Sequence, residues 1–513
     1  MARTPERLSA AEAGLPGWRA RLPAALRQLL DDAARAAGER GWCLYAVGGA
    51  VRDWLLAPPQ VPLGGQELDL VADGCDRAAE AGAGLAIARA LHVQYPEARL
   101  QLHQAFQTAA LHWHAHPALG SLELDVATAR REVYLHPAAN PEVEPSAIGE
   151  DLARRDFSIN ALALGLNGPN ADVLLDRFGG LADLQVGRIR ILHADSFTDD
   201  PTRIYRAVKY ATRLSFELAP ETAAAARRAT ASGTYERYRS GRAPALQARL
   251  GAELQAIAQA PHWQPALRQL AQLDALRCLH PQLSLDAGQW RQLHRLARWL
   301  PRWDPQGQWA HGQLRLEALL AGLPPRDRPR VAAELALPGK SRQRLAQLQD
   351  AWQQIRAGLR AYQARPERDR RALADRRQAE RGALLHYQGQ YEPQPPSALR
   401  RACERLEQYG YLPSEAEALL CLYGAPLLLL VGVRLPPAQR RAVWCYRQYW
   451  SRVESPLSGR DLKALGYAPG PQFAQLLGAA RAACLDGVIG DAPTETEIRN
   501  QAIAYLQACS PHG

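Results

Sequence analysis

The chain predicts an α+β head followed by an extended all-α region, on three observations. Short apolar runs alternate with polar loops from about residue 40 to 165, the texture of half-buried strands interleaved with helices. From about residue 185 the apolar positions recur at helical spacing. Beyond about 245 the sequence is rich in Leu, Ala, Arg and Gln, with breaks at Pro324-Pro325 and from Pro393 to Pro396. A chain of 513 residues has room for about three or four domains of roughly 100–200 residues. The textures divide it into a helical lead-in (1–40), a mixed head (41–166) and helical segments at 167–250, 251–390 and 391–513.

Within the head, CLYAVGG predicts a strand ending at Gly48-Gly49, where backbone N–H groups can approach a phosphate closely. ELDLVAD predicts a second strand on which Glu67 and Asp69, two apart, project from one face. Two adjacent carboxylates repel unless a cation lies between them, and magnesium, which takes oxygen ligands and bridges to phosphates, is the natural occupant. TAALHW and LELDVATA predict two more strands, the second carrying Glu123 and Asp125, either of which is in position to complete the acidic cluster. INALALGL predicts another strand, and DDPTRIYRAVKYATRLSF and ETAAAARRAT open the helical part. Glycines beside a triphosphate, followed by carboxylates that hold metal, describe a nucleotidyl-transfer site.

Four stretches in order resemble one family. VGGAVRD with ELDLV carries the GG-(spacer)-[DE]-apolar-[DE] signature of the DNA polymerase β-like nucleotidyltransferases. EDLARRDFSINALAL (150–164), LLDRFGGLADLQVGRIRIL (174–192) and DDPTRIYRAVKYATRLSFEL (199–218) resemble the further motifs of the class II tRNA nucleotidyltransferase and poly(A) polymerase family. The resemblance implies a polymerase β-like palm as the head, then a neck, body and tail of helices. It implies that Gly48, Gly49 and Arg52 meet the nucleotide phosphates and that Glu67 and Asp69 bind Mg2+, with Asp125 helping to activate the attacking hydroxyl. Arg155 would hold the nucleotide, with Asp156 and Asn160 near its ribose, and Asp200, Arg203, Arg206 and Lys209 would make the remaining nucleotide contacts. The chain departs from the usual motifs at Glu67 (Asp), Ser158 (Thr), Asp199 (Glu) and Lys209 (Arg), the last keeping charge but losing the guanidinium fork.

Asp200 and Arg203, three apart on a helix, would share a face and aim an acceptor and a donor at one base edge. Such a pair accepts from the exocyclic amine of cytosine or adenine and is mismatched with the carbonyl of uracil or guanine. The plainer reading makes Asp200 a helix cap before Pro201 and Arg203 its salt-bridge partner.

Lys and Arg number 62 against 52 Asp and Glu, a formal charge of +10 that suits a polyanion-binding surface. Arg291, Arg295, Arg298 and Arg302 surround Trp290, Trp299 and Trp303, and a further basic run extends from Arg368 to Arg381. The arginines suit RNA phosphates, while the tryptophans read as packing residues. No window reaches the ~18 apolar residues of a membrane span. The longest candidate, Ala418 to Val433, is interrupted by Tyr423, Gly424 and Pro426 and reads as a buried helical hairpin. The start carries no apolar h-region and the eight cysteines form no CxxC pair, so a cytoplasmic location is expected, without zinc or disulfides. The resemblance implies addition of C and A to tRNA 3′ ends from CTP and ATP, with residues 130–149 as the flexible element associated with switching from C to A. CC-only or A-only addition and poly(A) synthesis are alternatives, and a non-catalytic tRNA-binding protein is the alternative from another class. No oligomeric state is read from the sequence.

Overall fold

The computed structural model describes residues 7–74, 82–133, 142–233, 244–364, 412–490 and 494–509, with 366, 368, 369 and 372. They fall into two compact units, Met1–Ser284 with Glu334–Ala336, and Leu285–Ala333 with Leu337–Gly513.

The first unit is built on an eight-stranded sheet. Its strands are β1 (Arg7–Ser9), β2 (Cys43–Val47), β3 (Glu67–Asp73), β4 (Arg99–His103), β5 (Thr108–His116), β6 (Gly120–Thr128), β9 (Leu162–Gly165) and β10 (Val173–Asp176). They lie in the order β1-β10-β9-β2-β3-β6-β5-β4. β7 (Arg130–Val133) and β8 (Glu142–Pro145) form a separate antiparallel pair, so the ends of the expected flexible element are a hairpin, while 134–141 lie outside the described residues. Among the described residues of the eight-stranded sheet only β3 and β6 run parallel, with Glu67 opposite Glu123 and Asp69 opposite Asp125. Residues 1–40, expected as a helical lead-in, supply β1 as well as the helix Ala24–Gly38, because three residues of β1 pair with the edge of β10.

Strand alternation creates two unlike faces. Leu68, Leu70, Leu122, Leu124 and Val126 are buried, and the helices Ala24–Gly38 and Ala83–Gln94 pack on this sheet. On the opposite parity Tyr45, Val47, Val71 and Ala163 form a core with Ile148 and Leu152 of the helix Ile148–Ala153. That helix covers one end of the face, and Glu67, Asp69, Glu123 and Asp125 occupy the other.

The unit continues into helices Thr202–Leu214, Pro220–Ala231, Pro244–Gln259 and Trp263–Gln272. The first buries Ile204, Tyr205, Ala207, Val208 and Ala211, and the Tyr205 hydroxyl donates to the Ala275 carbonyl at 2.9 Å. Gly251 sits where a β-carbon would come within 2.4 Å of the Leu335 carbonyl oxygen, so only glycine admits this backbone approach.

The second unit is helical among its described residues. The helix Ala287–Trp303 starts at a capping box in which Asp286 accepts from the Gln289 amide at 2.7 Å. Pro324-Pro325 falls between helices His311–Leu320 and Arg328–Glu334, as expected of a break. Trp299 stacks on Trp303 at 5.4 Å and meets Trp444 at 5.0 Å, so both are packing residues. The apolar stretch folds as helices Pro413–Leu420 and Ala425–Gly432, bent by 114°, and no single described helix is long and apolar enough to cross a membrane. Leu427–Val431 are buried. Pro393 to Pro396 and nearly all of the basic run at 368–381 lie outside the described residues. Among the described residues Cys43, Cys278, Cys421, Cys445 and Cys484 form no disulfide.

Candidate active site

β2 delivers the chain to Gly48, whose φ of 70° and ψ of −127° start the helix Gly49–Leu56. This is a conformation that L side chains rarely adopt. A β-carbon at Gly48 would also lie 2.7 Å from Arg155 Nη1 and 3.4 Å from Asp69 Oδ2. The glycine is what lets this turn, an arginine and a carboxylate share one spot. At Gly49 the nearest atom would be Arg52 Nη2 at 3.6 Å, an ordinary contact.

Val47 pairs with Asp69 across β2 and β3, which sets the acidic strand directly beside the turn. The Asp69 carboxyl is raised above the usual range by burial, with Glu67 adding to the rise and Arg155 opposing it. Asp125 is pushed up to about 6, by desolvation first and then by Asp69 and Glu123. Carboxylates crowded in this way gain from a cation, and their hard oxygen donors suit magnesium. Among the described residues no three His, Cys, Asp or Glu side chains converge into a metal cage. The donor set therefore fits an ion that takes one or two carboxylates and draws its other ligands from water and phosphate.

Behind the turn runs a buried polar chain. Arg52, 2% exposed, donates from Nε to Asp53 Oδ1 at 2.8 Å and from Nη1 to Asn160 Oδ1 at 2.7 Å. Asn160 donates to Asp156 Oδ1 at 3.0 Å, and Asp156 Oδ2 accepts from Arg206 Nε at 2.7 Å. Burial alone would raise the Asp156 carboxyl, but Arg206 and the Asn160 amide hold it below the usual range. Tyr210 closes the chain, its ring 5.0 Å from Arg52 Cζ and 5.6 Å from Arg206 Cζ. Asp53 also takes Arg213 Nη2 at 3.0 Å, so it binds two arginines.

Of the two adjacent arginines, Arg154 is tied to Asp151 and Glu132, while Arg155 donates to Asp151 at 3.1 Å and reaches Gly48. In the third motif Asp176 accepts from the amides of Gly180 and Leu181 at 2.7 and 2.9 Å and so caps the helix Gly180–Gln185. A β-carbon on Gly180 would lie 2.2 Å from the Ser158 carbonyl oxygen, which explains the second glycine of that motif.

The fourth motif departs from expectation. Asp200 precedes the helix Thr202–Leu214, and its Oδ1 accepts from the Thr202 amide and hydroxyl at 3.0 and 2.7 Å. Its Oδ2 accepts from Arg249 Nη1 at 3.1 Å. Arg203 is buried and donates instead to Ser196 Oγ and the Arg154 carbonyl, both at 2.9 Å. The Asp200 carboxylate thus pairs with Arg249 and not with Arg203, although both Asp200 and Arg203 line the cavity described below.

Gly48, Gly49, Arg52, Glu67, Asp69, Asp125, Arg155, Asp156, Asn160, Asp200, Arg203 and Arg206 all line one cavity of about 1190 Å³. Lys209 is the exception. Its ammonium lies 2.5 Å from Glu253 Oε2, which satisfies a single-point donor. Sequence reasoning passed over Tyr210, Arg249 and Glu253, which also line the cavity. The i, i+4 spacing of Arg249 and Glu253 is the one available signal, and it also describes a surface pair.

The Poly A polymerase head domain family matches residues 44–190. An A-adding tRNA nucleotidyltransferase of Aquifex aeolicus is 43% identical over 179 residues, 35% of this chain and 19% of that protein. A CC-adding tRNA nucleotidyltransferase of Deinococcus radiodurans is 40% identical over 195 residues, 38% of this chain and 47% of that protein. The chain thus spans less than half the length of either relative. In fold it is similar to a Thermotoga maritima CCA-adding enzyme solved in complex with tRNA, with a TM-score of 0.68 at 22% identity, over 98% of this chain and all of that one. Residues 44–190 thus match the Poly A polymerase head domain, and this part of the chain is similar to tRNA nucleotidyltransferases.

Proposed function

We propose that this chain adds C and A residues to the 3′ end of tRNA from CTP and ATP, without a nucleic-acid template, and releases pyrophosphate. The observation that carries the reading is convergence: the Gly48 turn, the Glu67 and Asp69 carboxylates and the Asp200 acceptor open on one cavity. At about 1190 Å³ it exceeds the roughly 300–1,000 Å³ of ordinary small-molecule pockets, leaving space for an RNA terminus beside a nucleotide.

In this reading the backbone N–H groups at Gly48 and Gly49, with Arg155, receive the triphosphate, and the Arg52 charge stands behind them. Glu67 and Asp69 would hold magnesium, which when bound supplies charge neutralisation at the phosphates. Asp125, with its carboxyl near 6, is suited to take the proton of the RNA 3′-hydroxyl. The hydroxyl oxygen bonds to the α-phosphorus in line as the bond to pyrophosphate breaks, and pyrophosphate leaves with the electron pair. Asp156 and Asn160 keep Arg52 and Arg206 oriented beside Tyr210. In the helical unit Arg291, Arg295 and Arg298 follow one helix. Burial first, and then Arg440, Arg291 and Arg298, hold the Arg295 guanidinium below its ordinary value, and such a cluster of arginines would suit an RNA backbone.

The test is incorporation by the full chain on tRNA ending at the discriminator base, at C and at CC, with each NTP alone and combined. Incorporation of CTP and then ATP supports the reading, and long A tails on unrelated RNA overturn it. Because one matched relative is A-adding and another CC-adding, partial addition is the second reading. It predicts a reaction that starts only on CC ends, or one that stops there.

A further inference from the structure

We propose that His112 and His103 hold the last phosphodiester of the RNA and so bring its 3′-hydroxyl to Asp125, an inference that rests on the nucleotidyl-transfer reading above. Neither histidine falls in the four stretches that resemble the family. The sheet order sets the direction of approach. β2, β3, β6, β5 and β4 are consecutive neighbours, with the glycine turn at the end of β2 and the carboxylates on β3 and β6. In-line displacement needs the attacking oxygen opposite the leaving pyrophosphate. With the triphosphate received at Gly48, the hydroxyl arrives from the far side of Asp69. The nucleotide that carries it then lies over β5, one strand spacing or about 5 Å beyond β6.

The pairing register shows what that face offers. Asp125 stands opposite Ala110, and in the next row Ala127 stands opposite Thr108 and Thr108 opposite His103. Ala110, Ala127 and Thr108 are small, line the cavity and leave room above the sheet. In the row on the other side of Ala110, Glu123 stands opposite His112. The two histidines line the same cavity, one row to either side of Ala110.

His112 Nδ1 is 3.8 Å from Glu123 Oε1, beyond hydrogen-bond distance, and its Nε2 is shielded from water without a partner. A buried polar nitrogen left unmet is costly, which favours a ligand group that meets it. His103 is exposed. Burial, Asp69 and Glu123 raise the Asp125 carboxyl, and His112 and His103 oppose them, so both rings act on the group that is to take the proton. An RNA phosphate brought beside Glu123 and Asp125 meets repulsion. Arg155 and the glycine turn serve the triphosphate, so the RNA phosphate needs donors of its own. Either histidine supplies one, since even a neutral imidazole carries an N–H.

The test is a cycle between protein and RNA, with the full chain as wild type, His112→Ala, His112→Gln and His103→Ala. The RNA is a tRNA acceptor hairpin ending at C, whose last linkage is either the phosphodiester or a neutral methylphosphonate. Fluorescence anisotropy reads hairpin binding, and incorporation gives KM for the hairpin and for CTP. His112→Ala should weaken hairpin binding by about tenfold and raise the hairpin KM alike, with KM for CTP unmoved. His103→Ala should do the same to a smaller extent, and His112→Gln, which keeps an N–H donor, should recover part of the loss. On the methylphosphonate hairpin wild type and both alanine variants should bind alike. An alanine loss of equal size on the two linkages, or a rise in KM for CTP in place of the hairpin KM, overturns the inference while the transferase reading stands. Wild-type chain that binds the hairpin but transfers nothing overturns the transferase reading, and the anisotropy cycle, which needs no turnover, still judges the histidines.

Discussion

Arg52 and Asn160 stand 108 residues apart in the chain and are joined by a buried 2.7 Å hydrogen bond from Nη1 to Oδ1. The same asparagine donates to Asp156, which takes Arg206, so one amide links the glycine-turn helix to the helix Thr202–Leu214. Asn160→Ala leaves a buried guanidinium N–H without an acceptor and removes one donor from Asp156. A loss of about 1–3 kcal/mol is expected for groups stranded in this way. It should appear as a lower urea midpoint, together with a raised KM for nucleotide.

The two glycines of the turn should separate stability from binding. Gly48→Ala places a β-carbon 2.7 Å from Arg155 Nη1 at a φ of 70°, a strain of about 1–2 kcal/mol before any displacement of the arginine. Gly49→Ala meets only a 3.6 Å contact. Thermal unfolding should therefore show a lower midpoint for the first variant and little change for the second. Nucleotide binding should weaken in both, because each methyl group stands where phosphate is expected to approach the backbone.

The raised Asp125 carboxyl gives a signed pH dependence. Its folded value near 6 lies above the ordinary aspartate value of about 3.9, so between the two the folded state retains a proton that the unfolded state releases. This group therefore makes stability fall as pH rises from about 4 to about 6, with no further change above that. Asp156 and Asp151 are held low, and they contribute the opposite slope, at lower pH. The difference between wild type and Asp125→Asn isolates the first term. Urea midpoints across pH 4 to 7 should show the variant gaining on wild type as pH rises through this window, and a constant difference would refute the assignment.

The central strands were legible because each alternates cleanly: in ELDLV and LELDV the leucines go to one face and the acids to the other. β1 and β4 were not, since β1 has three residues and β4, RLQLH, is a half-exposed edge without a strong apolar signal. The motif residues of the head meet at one cavity because the short connection from β2 into its helix and the β2–β3 pairing carry them there almost directly. At Asp200 the helix begins only at Thr202, so the i, i+3 spacing gives no salt bridge with Arg203, although both residues line the cavity. Arg249 and Glu253 could not be placed from the motif, because what brings them in is the packing of one helix against another, about forty residues on in sequence.

Tyr210 supplies the last prediction. Its ring lies 5.0 Å from Arg52 Cζ, 5.6 Å from Arg206 Cζ and 5.7 Å from Lys209 Nζ, with Phe157 edge-on at 6.0 Å. Three like charges around one π face would repel one another, and the ring's negative face offsets part of that by about 0.5–2 kcal/mol per cation, depending on desolvation. The hydroxyl adds a 3.3 Å bond from Arg206 Nη2 and an interaction with the Arg52 guanidinium. Tyr210→Phe, which keeps the ring, should behave nearly as wild type. Tyr210→Ala removes the platform, frees the arginines to move apart, and should raise KM for CTP and ATP alike by at least about tenfold. The ring meets the cations, so the CTP-over-UTP ratio should hold. A Tyr210→Ala variant that loses base selection instead would assign the reading of the base to the ring.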